Sequence, residues 1–236
     1  MVNSSCLNAS QNDRLNIDLM QHNLIIWYYI GAIFPFLAVI VSWICFYSLG
    51  QYDADYLLTI SETMVPFPQN RIFPSAMCIE SIILIGLYFV RNVAIFSVAN
   101  RLSIQFPVKK WLIYITSICV PLGLVLLSTF TLEDVESIHL IGAFLFFFGS
   151  MVYYITSDLA LIQTNNKIML ASRILSFSIV GAAVFYFAFL MGRKKWSLTV
   201  GASFQYLTAL LIFAKVIFMY YDLPKHYVVI CFDEKI

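Results

Sequence analysis

Charge is scarce in this chain. Asp, Glu, Lys and Arg make up 11% of its 236 residues, against roughly 25% in soluble domains, which excludes an ordinary water-soluble fold. The net charge is +1 and no basic run is interleaved with aromatics, so no nucleic-acid partner is expected. Cysteine is also sparse. Cys6, Cys45, Cys78, Cys119 and Cys231 are odd in number and form no CxxC pair, which excludes a disulfide framework or a cysteine-built metal site. Three of them fall in apolar runs and read as small packing residues. Residues 1–23 lack a basic segment followed by a short apolar core and a small-residue cleavage site. They read as a polar tail, not a removable signal peptide.

What is abundant is apolar length. Hydrophobic residues reach 61%, and windows long enough to cross ~30 Å of hydrocarbon fall at 24–49, 75–100, 111–131, 138–163, 172–191 and 198–221. The expected fold is all-α, a polytopic membrane bundle of six transmembrane helices. It occupies residues 24–221 as one domain, followed by a short tail, 222–236. Pro66, Pro68 and Pro74 lack a backbone donor and push the preceding residue toward extended geometry, so the second helix is expected to start near Ser75. Gly142, Gly149, Gly181, Ala182, Ala183 and Gly201 would let helices approach closely. Trp27, Trp43, Trp111 and Trp196 fall where interfacial rings belong.

Lys and Arg set the expected orientation. Arg14, Arg101, Lys109, Lys110, Lys167, Arg173, Lys225 and Lys235 lie on one side; Arg71, Arg193, Lys194 and Lys195 lie on the other. This bias puts both termini in the cytosol and the 50–74 loop in the lumen. The triplets beginning at Asn3 and Asn8 match a glycosylation signal that only a lumenal tail could use. The lumenal face has two readings: the basic 193–195 loop pairs with the cluster Glu133, Asp134 and Glu136, or, the weightier one because exposed pairs are worth little, both belong to a solvated charge rim.

Polar residues inside apolar spans are costly, at least ~2.5–3.5 kcal/mol for a charge at mid-bilayer, and they usually face a bundle interior. Glu80, Arg91, His139, Asp158 and Gln205 form the expected intramembrane polar network, with an Arg91–Asp158 ion pair at its centre. Lys215, near a helix end, is expected to snorkel to the interface. A serine-hydrolase reading would take His139 as base, Glu62 or an acid of 133–136 as its orienter, and Ser61 or Ser137 as nucleophile. No spacing favours that set. A lone His at a helix start beside acids is more often a capping residue, and the chain is expected not to be an enzyme. His22 and His226 fall a bilayer away from His139 in this topology, so neither a metal nor another cofactor is expected.

In the tail, Tyr227-Val228-Val229-Ile230 fits the tyrosine-x-x-bulky-apolar signal of endosomal sorting adaptors. Alternation along an extended segment would let Tyr227 and Ile230 enter separate pockets. The expected partners are membrane lipids, with other membrane proteins and sorting adaptors beside them.

Taken together, several short motifs resemble those of the Frag/DRAM/Sfk family. They are Ile60-Ser61-Glu62 before a proline-containing loop and Ile72-Phe73, then Glu133 and His139-x-x-Gly142-Ala143. Tyr154, Arg173, Phe204-Gln205-Tyr206 and Asp222 follow in the family's order. One departure is Gln205-Tyr206, where the family has an acid-aromatic pair. The resemblance implies six spans and one of three roles: autophagy modulation in lysosomal or endosomal membranes, lipid remodelling of GPI anchors in the Golgi, or phosphoinositide-linked regulation at the plasma membrane. The Ile60-Ser61-Glu62-Thr63 segment is most similar to the autophagy-modulating DRAM branch. It therefore implies a lysosomal or late-endosomal protein.

Overall fold

Among the described residues there are seven helices, six of which follow the apolar runs of the chain: α1 Gln11–Ser48, α2 Ile60–Thr63, α3 Gln69–Arg101, α4 Lys110–Thr129, α5 Glu136–Ala160, α6 Lys167–Leu190 and α7 Lys195–Tyr221. The computed structural model describes residues 11–52, 54–101, 110–161, 167–192 and 194–222, with side chains from residue 23 onward except at 98–101 and 167. Six of the helices are long and apolar enough to cross a membrane, and among the described residues there is no strand. This is an all-α bundle. Cys6, Cys231 and the Tyr227 and Ile230 pair lie outside the described residues.

The short α2 breaks the pattern. It sits in the loop between the first two spans, so the 48–69 connection, the 129–136 loop and the 190–195 loop all gather at one end of the bundle, called here the loop end. The opposite, terminal end collects the start of α1 and the end of α7.

The second span starts earlier than its prolines suggest. Helix α3 begins at Gln69 and runs through Pro74. Its first turn is anchored on loop carbonyls, with the Arg71 and Ile72 amides donating to Pro68 O at 3.0 and 3.2 Å and the Asn70 amide to Pro66 O at 3.0 Å. Pro74 offers no amide to the carbonyl four residues before it and crowds it with its ring, yet the helix continues past it. Ser75 Oγ donates to Arg71 O at 2.8 Å and steadies the same turn. The first helix likewise extends into the polar tail, reaching back to Gln11 before the apolar stretch Asn23–Ser48.

Glycine draws α4 and α5 together. A Cβ on Gly123 would lie 2.4 Å from Phe146 N, and one on Gly142 would lie 2.4 Å from Leu127 N. Backbone therefore meets backbone at both positions, the small-residue packing that membrane helices use in place of a hydrophobic drive. Gly149 and Gly201 also lie against a neighbouring helix, whereas a Cβ on Gly181 would meet nothing within 4 Å. Gly181 is thus not a packing glycine, although Ala182 and Ala183 beside it are buried. Between the two ends sits a layer of buried tyrosines, Tyr28, Tyr88, Tyr153 and Tyr154. Their hydroxyls are satisfied across helices: Tyr88 and Tyr154 share a bond of 3.1 Å, Tyr153 donates to Asn92 Oδ1 at 3.0 Å, and Tyr154 donates to Ile212 O at 3.2 Å. Trp27, Trp111 and Trp196 face outward, while Trp43 is partly buried and donates to the Tyr206 hydroxyl at 2.9 Å.

Candidate functional site

The five residues of the expected polar network fall in two clusters at opposite ends, with Glu80 apart from both. At the terminal end, Arg91 and Lys215 are fully buried, and Asp158 and Asp222 are nearly so. Arg91 meets Asp222 in a two-pronged bond, Nη1 to Oδ1 at 2.5 Å and Nη2 to Oδ2 at 3.2 Å, and it reaches Asp158 Oδ1 at 3.5 Å. Lys215 Nζ holds both Asp158 oxygens at 2.9 and 2.8 Å. Ser172 Oγ donates to Asp222 and Ser176 Oγ to Asp158, each at 2.7 Å. Two cations face two anions, so the cluster is neutral and hydrogen-bonded, which is what makes buried charge tolerable.

Two expectations change here. The nearest partner of Arg91 is Asp222, which caps α7 and belongs to the bundle, while Asp158 chiefly serves Lys215. Lys215 does not snorkel. Its stem turns inward because a carboxylate and two serine oxygens lie within reach there, and the interface offers it only water.

At the loop end, the second cluster is built on α2. Thr59 caps this helix: its Oγ1 accepts from the Glu62 amide at 3.2 Å, and the Glu62 carboxylate accepts in return from the Thr59 amide at 2.7 Å. This reciprocal pair is a capping box, legible in the sequence as Thr-x-x-Glu. Tyr56 adds a bond from its hydroxyl to Glu62 Oε1 at 3.2 Å. Burial, and after it the Glu62 charge, pushes the Tyr56 phenol above its ordinary pKa.

The capped turn is then pinned to α7 by three bonds. The Ile60 amide donates to Gln205 Oε1 at 2.8 Å, the Leu57 amide donates to Thr199 Oγ1 at 3.2 Å, and the Tyr206 hydroxyl donates to Leu58 O at 3.3 Å. Gln205 Nε2 donates in turn to the Tyr186 hydroxyl at 3.3 Å. An amide side chain both donates and accepts. Gln205 therefore bridges a loop amide and a phenol by accepting from the first and donating to the second, whereas the carboxylate of the family pattern would have to accept from both.

Ser61 faces α5. Its Oγ lies 2.9 Å from His139 Nε2, while His139 Nδ1 lies 2.8 Å from Phe130 O. A carbonyl oxygen only accepts, so Nδ1 carries the proton and Nε2 of the neutral ring accepts from the serine. The orienting group is thus a backbone carbonyl and not an acid of 133–136. Ser137 is exposed on the outer face of α5, away from this pair.

Two cavities meet at this turn. One, of about 280 Å³, is lined by Tyr56, Glu62, Glu136, His139, Tyr186 and Leu198 among others; the second, apolar and about 40 Å³, runs inward past Phe73, Met77, Phe147 and Phe213. Ser61, Ala143 and Gln205 line both. The described lining of the larger cavity includes two carboxylates and no Lys or Arg. Outside the lining, Lys195 pairs with Asp55, both well exposed. Among the described residues, the 193–195 loop thus supplies an ion-pair partner to the 50–58 segment through Lys195 and none to the 133–136 acids.

Glu80 stands alone. It is fully buried in α3, with Oε1 close to Gly31 of α1, and neither carboxyl oxygen has a hydrogen-bond partner among the described residues.

Six apolar spans, a neutral ion-pair cluster at one end and a capped serine–histidine turn over a cavity at the other define a multi-pass membrane protein with an internal site. Residues 23–226 match the Frag1/DRAM/Sfk1/Cwh43P N-terminal domain, and the chain belongs to that family. Neither a curated protein nor a solved structure matches it. Of the site, the bond between Ser61 and His139, 78 positions apart, has no local sequence signal; the capping box beside it does.

Proposed function

We propose that this chain is a membrane-lipid-binding protein and that its role is lipid remodelling. The observation that carries the reading is the shared wall of the two cavities: Ser61, Ala143 and Gln205 separate a polar vestibule from an apolar slot. That division suits an amphiphile, with its head in the vestibule and the first carbons of a chain in the slot, since ligand sites pair apolar walls with a few convergent polar groups. The acidic lining favours a neutral, zwitterionic or cationic head. It argues against phosphoinositides, whose phosphates call for Lys and Arg.

The second reading is autophagy modulation in a lysosomal or late-endosomal membrane. It draws on the likeness of Ile60-Ser61-Glu62-Thr63 to the DRAM branch. These residues form the capped turn over the cavity, so in this reading bound lipid is the signal and α2 the reporter. In both readings the termini face the cytosol and the vestibule opens to the lumen.

The test is photo-crosslinking in nanodiscs with phosphatidylcholine carrying a diazirine near the carbonyl end of one chain. Adducts on Phe73, Met77, Phe147 or Phe213, lost when Ala143→Trp fills the shared wall, are expected. Adducts confined to outward residues such as Ile82 and Phe89 would overturn the proposal.

A further inference from the structure

Ser61 and His139 carry chemistry that lipid binding does not need. A serine that only held the turn in place would be served equally by any backbone acceptor. Here its hydroxyl meets an imidazole nitrogen at 2.9 Å, and the opposite nitrogen is fixed by a carbonyl at 2.8 Å. This is the relation of nucleophile, base and orienter that activates a serine. The histidine is buried, and Ser61 lies at the junction of the polar and apolar cavities. In a bound acyl lipid, that junction is where the ester carbonyl sits.

We propose that Ser61 is an acyl-accepting nucleophile acting on carboxylic esters of membrane lipids with neutral or zwitterionic heads, and that His139 is its general base. This deepens, and rests on, the lipid-binding reading. Ser61 Oγ attacks the ester carbonyl while His139 Nε2 takes its proton. The tetrahedral intermediate collapses, the C–O bond to the lipid alcohol breaks, and the proton on Nε2 passes to the leaving oxygen, releasing a lysolipid and leaving acyl-Ser61. Water, or a second lipid hydroxyl, then attacks the acyl-serine with His139 again as base. A free fatty acid or a new ester departs and Ser61 recovers its proton. No oxidant, metal or nucleotide enters the balance.

Tyr186 supplies a donor for the carbonyl oxygen. Its hydroxyl accepts from Gln205 Nε2 at 3.3 Å, which leaves its own proton for the cavity it lines. Donors placed where charge develops commonly carry much of the rate enhancement in acyl transfer.

The test treats the full chain in nanodiscs with a fluorophosphonate probe, maps the labelled peptide by mass spectrometry, and follows fatty-acid release from phosphatidylcholine. Label on Ser61 of the unaltered chain is expected, lost in Ser61→Ala and slowed at least tenfold in His139→Gln. Tyr186→Phe should lower fatty-acid release while leaving diazirine crosslinking in place. Mapping the unaltered chain keeps the result independent of whether a variant folds. If crosslinking reaches the slot but Ser61 takes no label and no fatty acid appears, acyl transfer is wrong and lipid binding stands. If crosslinking also misses the slot, both readings fall.

Discussion

Arg91 and Asp222 face each other at 2.5 Å, Nη1 to Oδ1, with both side chains excluded from solvent. They are 131 positions apart and join the second span to the C-cap of the last, so the bond closes the terminal end of the bundle. Arg91 Nη1 also donates to Met219 O at 2.9 Å, clamping the final turn of α7. A buried pair adds little over an apolar substitute, but breaking it strands one charge. Arg91→Met or Asp222→Leu alone should each cost about 3–5 kcal/mol, while the double replacement should recover part of that loss. Thermal denaturation in detergent checks this, and a double variant as unstable as the sum of the singles would contradict it.

The glycines separate by what surrounds them. At Gly123 an added Cβ would meet backbone at 2.4 Å, and at Gly181 it would meet nothing. Overpacking of a tight contact costs about 1–3 kcal/mol, and α4 and α5 would have to part to admit it. Gly123→Ala should therefore lower the melting temperature by several degrees. Gly181→Ala should leave it level or raise it slightly, since alanine restricts the unfolded chain.

Span number and helical class were legible because twenty-residue apolar runs have few other readings. The expected second-span start at Ser75 fell short of the observed Gln69 because proline was read as a stop, whereas α3 runs through Pro74 from a first turn anchored on the carbonyls of Pro66 and Pro68. Arg91, Asp158 and His139 were legible as inward-facing since lipid would penalise them, but their partners were not. Burial cost says that a charge needs company and not which. Asp222 looked like the start of a tail, and only the folded geometry brings it against Arg91. Ser61 and His139 were named together in the hydrolase reading, but the carbonyl of Phe130 as orienter has no signature, since any residue type can offer a backbone oxygen.

Glu80 offers a test of stability against function. Its carboxyl oxygens are buried without a hydrogen-bond partner among the described residues, and an unpaired buried polar group costs about 1–3 kcal/mol. Glu80→Met keeps the length of the side chain and removes that cost. The variant should melt higher than the parent. A lower melting temperature would mean that the carboxylate is held by something it needs, and would mark Glu80 as functional.

Tyr56 couples the vestibule to alkaline pH. Burial and the Glu62 charge raise its pKa above the ordinary value, so the protonated phenol is favoured in the folded chain. The bond to Glu62 is fully present at neutral pH, persists through the ordinary tyrosine range near about 10, and is lost as pH rises through the raised value. Tyr56→Phe should remove this alkaline step from a fluorescence titration of the loop end. A titration unchanged by the substitution would show that the phenol is not what loosens the turn.

The proposed orientation rests on the cation bias of the sequence: Arg14, Arg101, Lys109, Lys110, Lys167, Arg173, Lys225 and Lys235 fall in the tails and loops of one side, twice the number in the loops of the other, and the rule that the more basic side stays in the cytosol assigns it there. In that orientation the vestibule, with Glu62, Glu136 and the capped turn, faces the lumen. A glycosylation acceptor inserted in the 50–58 loop should be modified, whereas one fused after Ile236 should not, read as a mobility shift removed by endoglycosidase. The insertion belongs near Tyr52, because Leu57 and Leu58 are bonded to α7 and their displacement would unseat α2. Sugar on the terminal fusion with none on the loop would invert the protein, place Ser61 and His139 on the cytosolic leaflet, and direct the search for a substrate to lipids of that face.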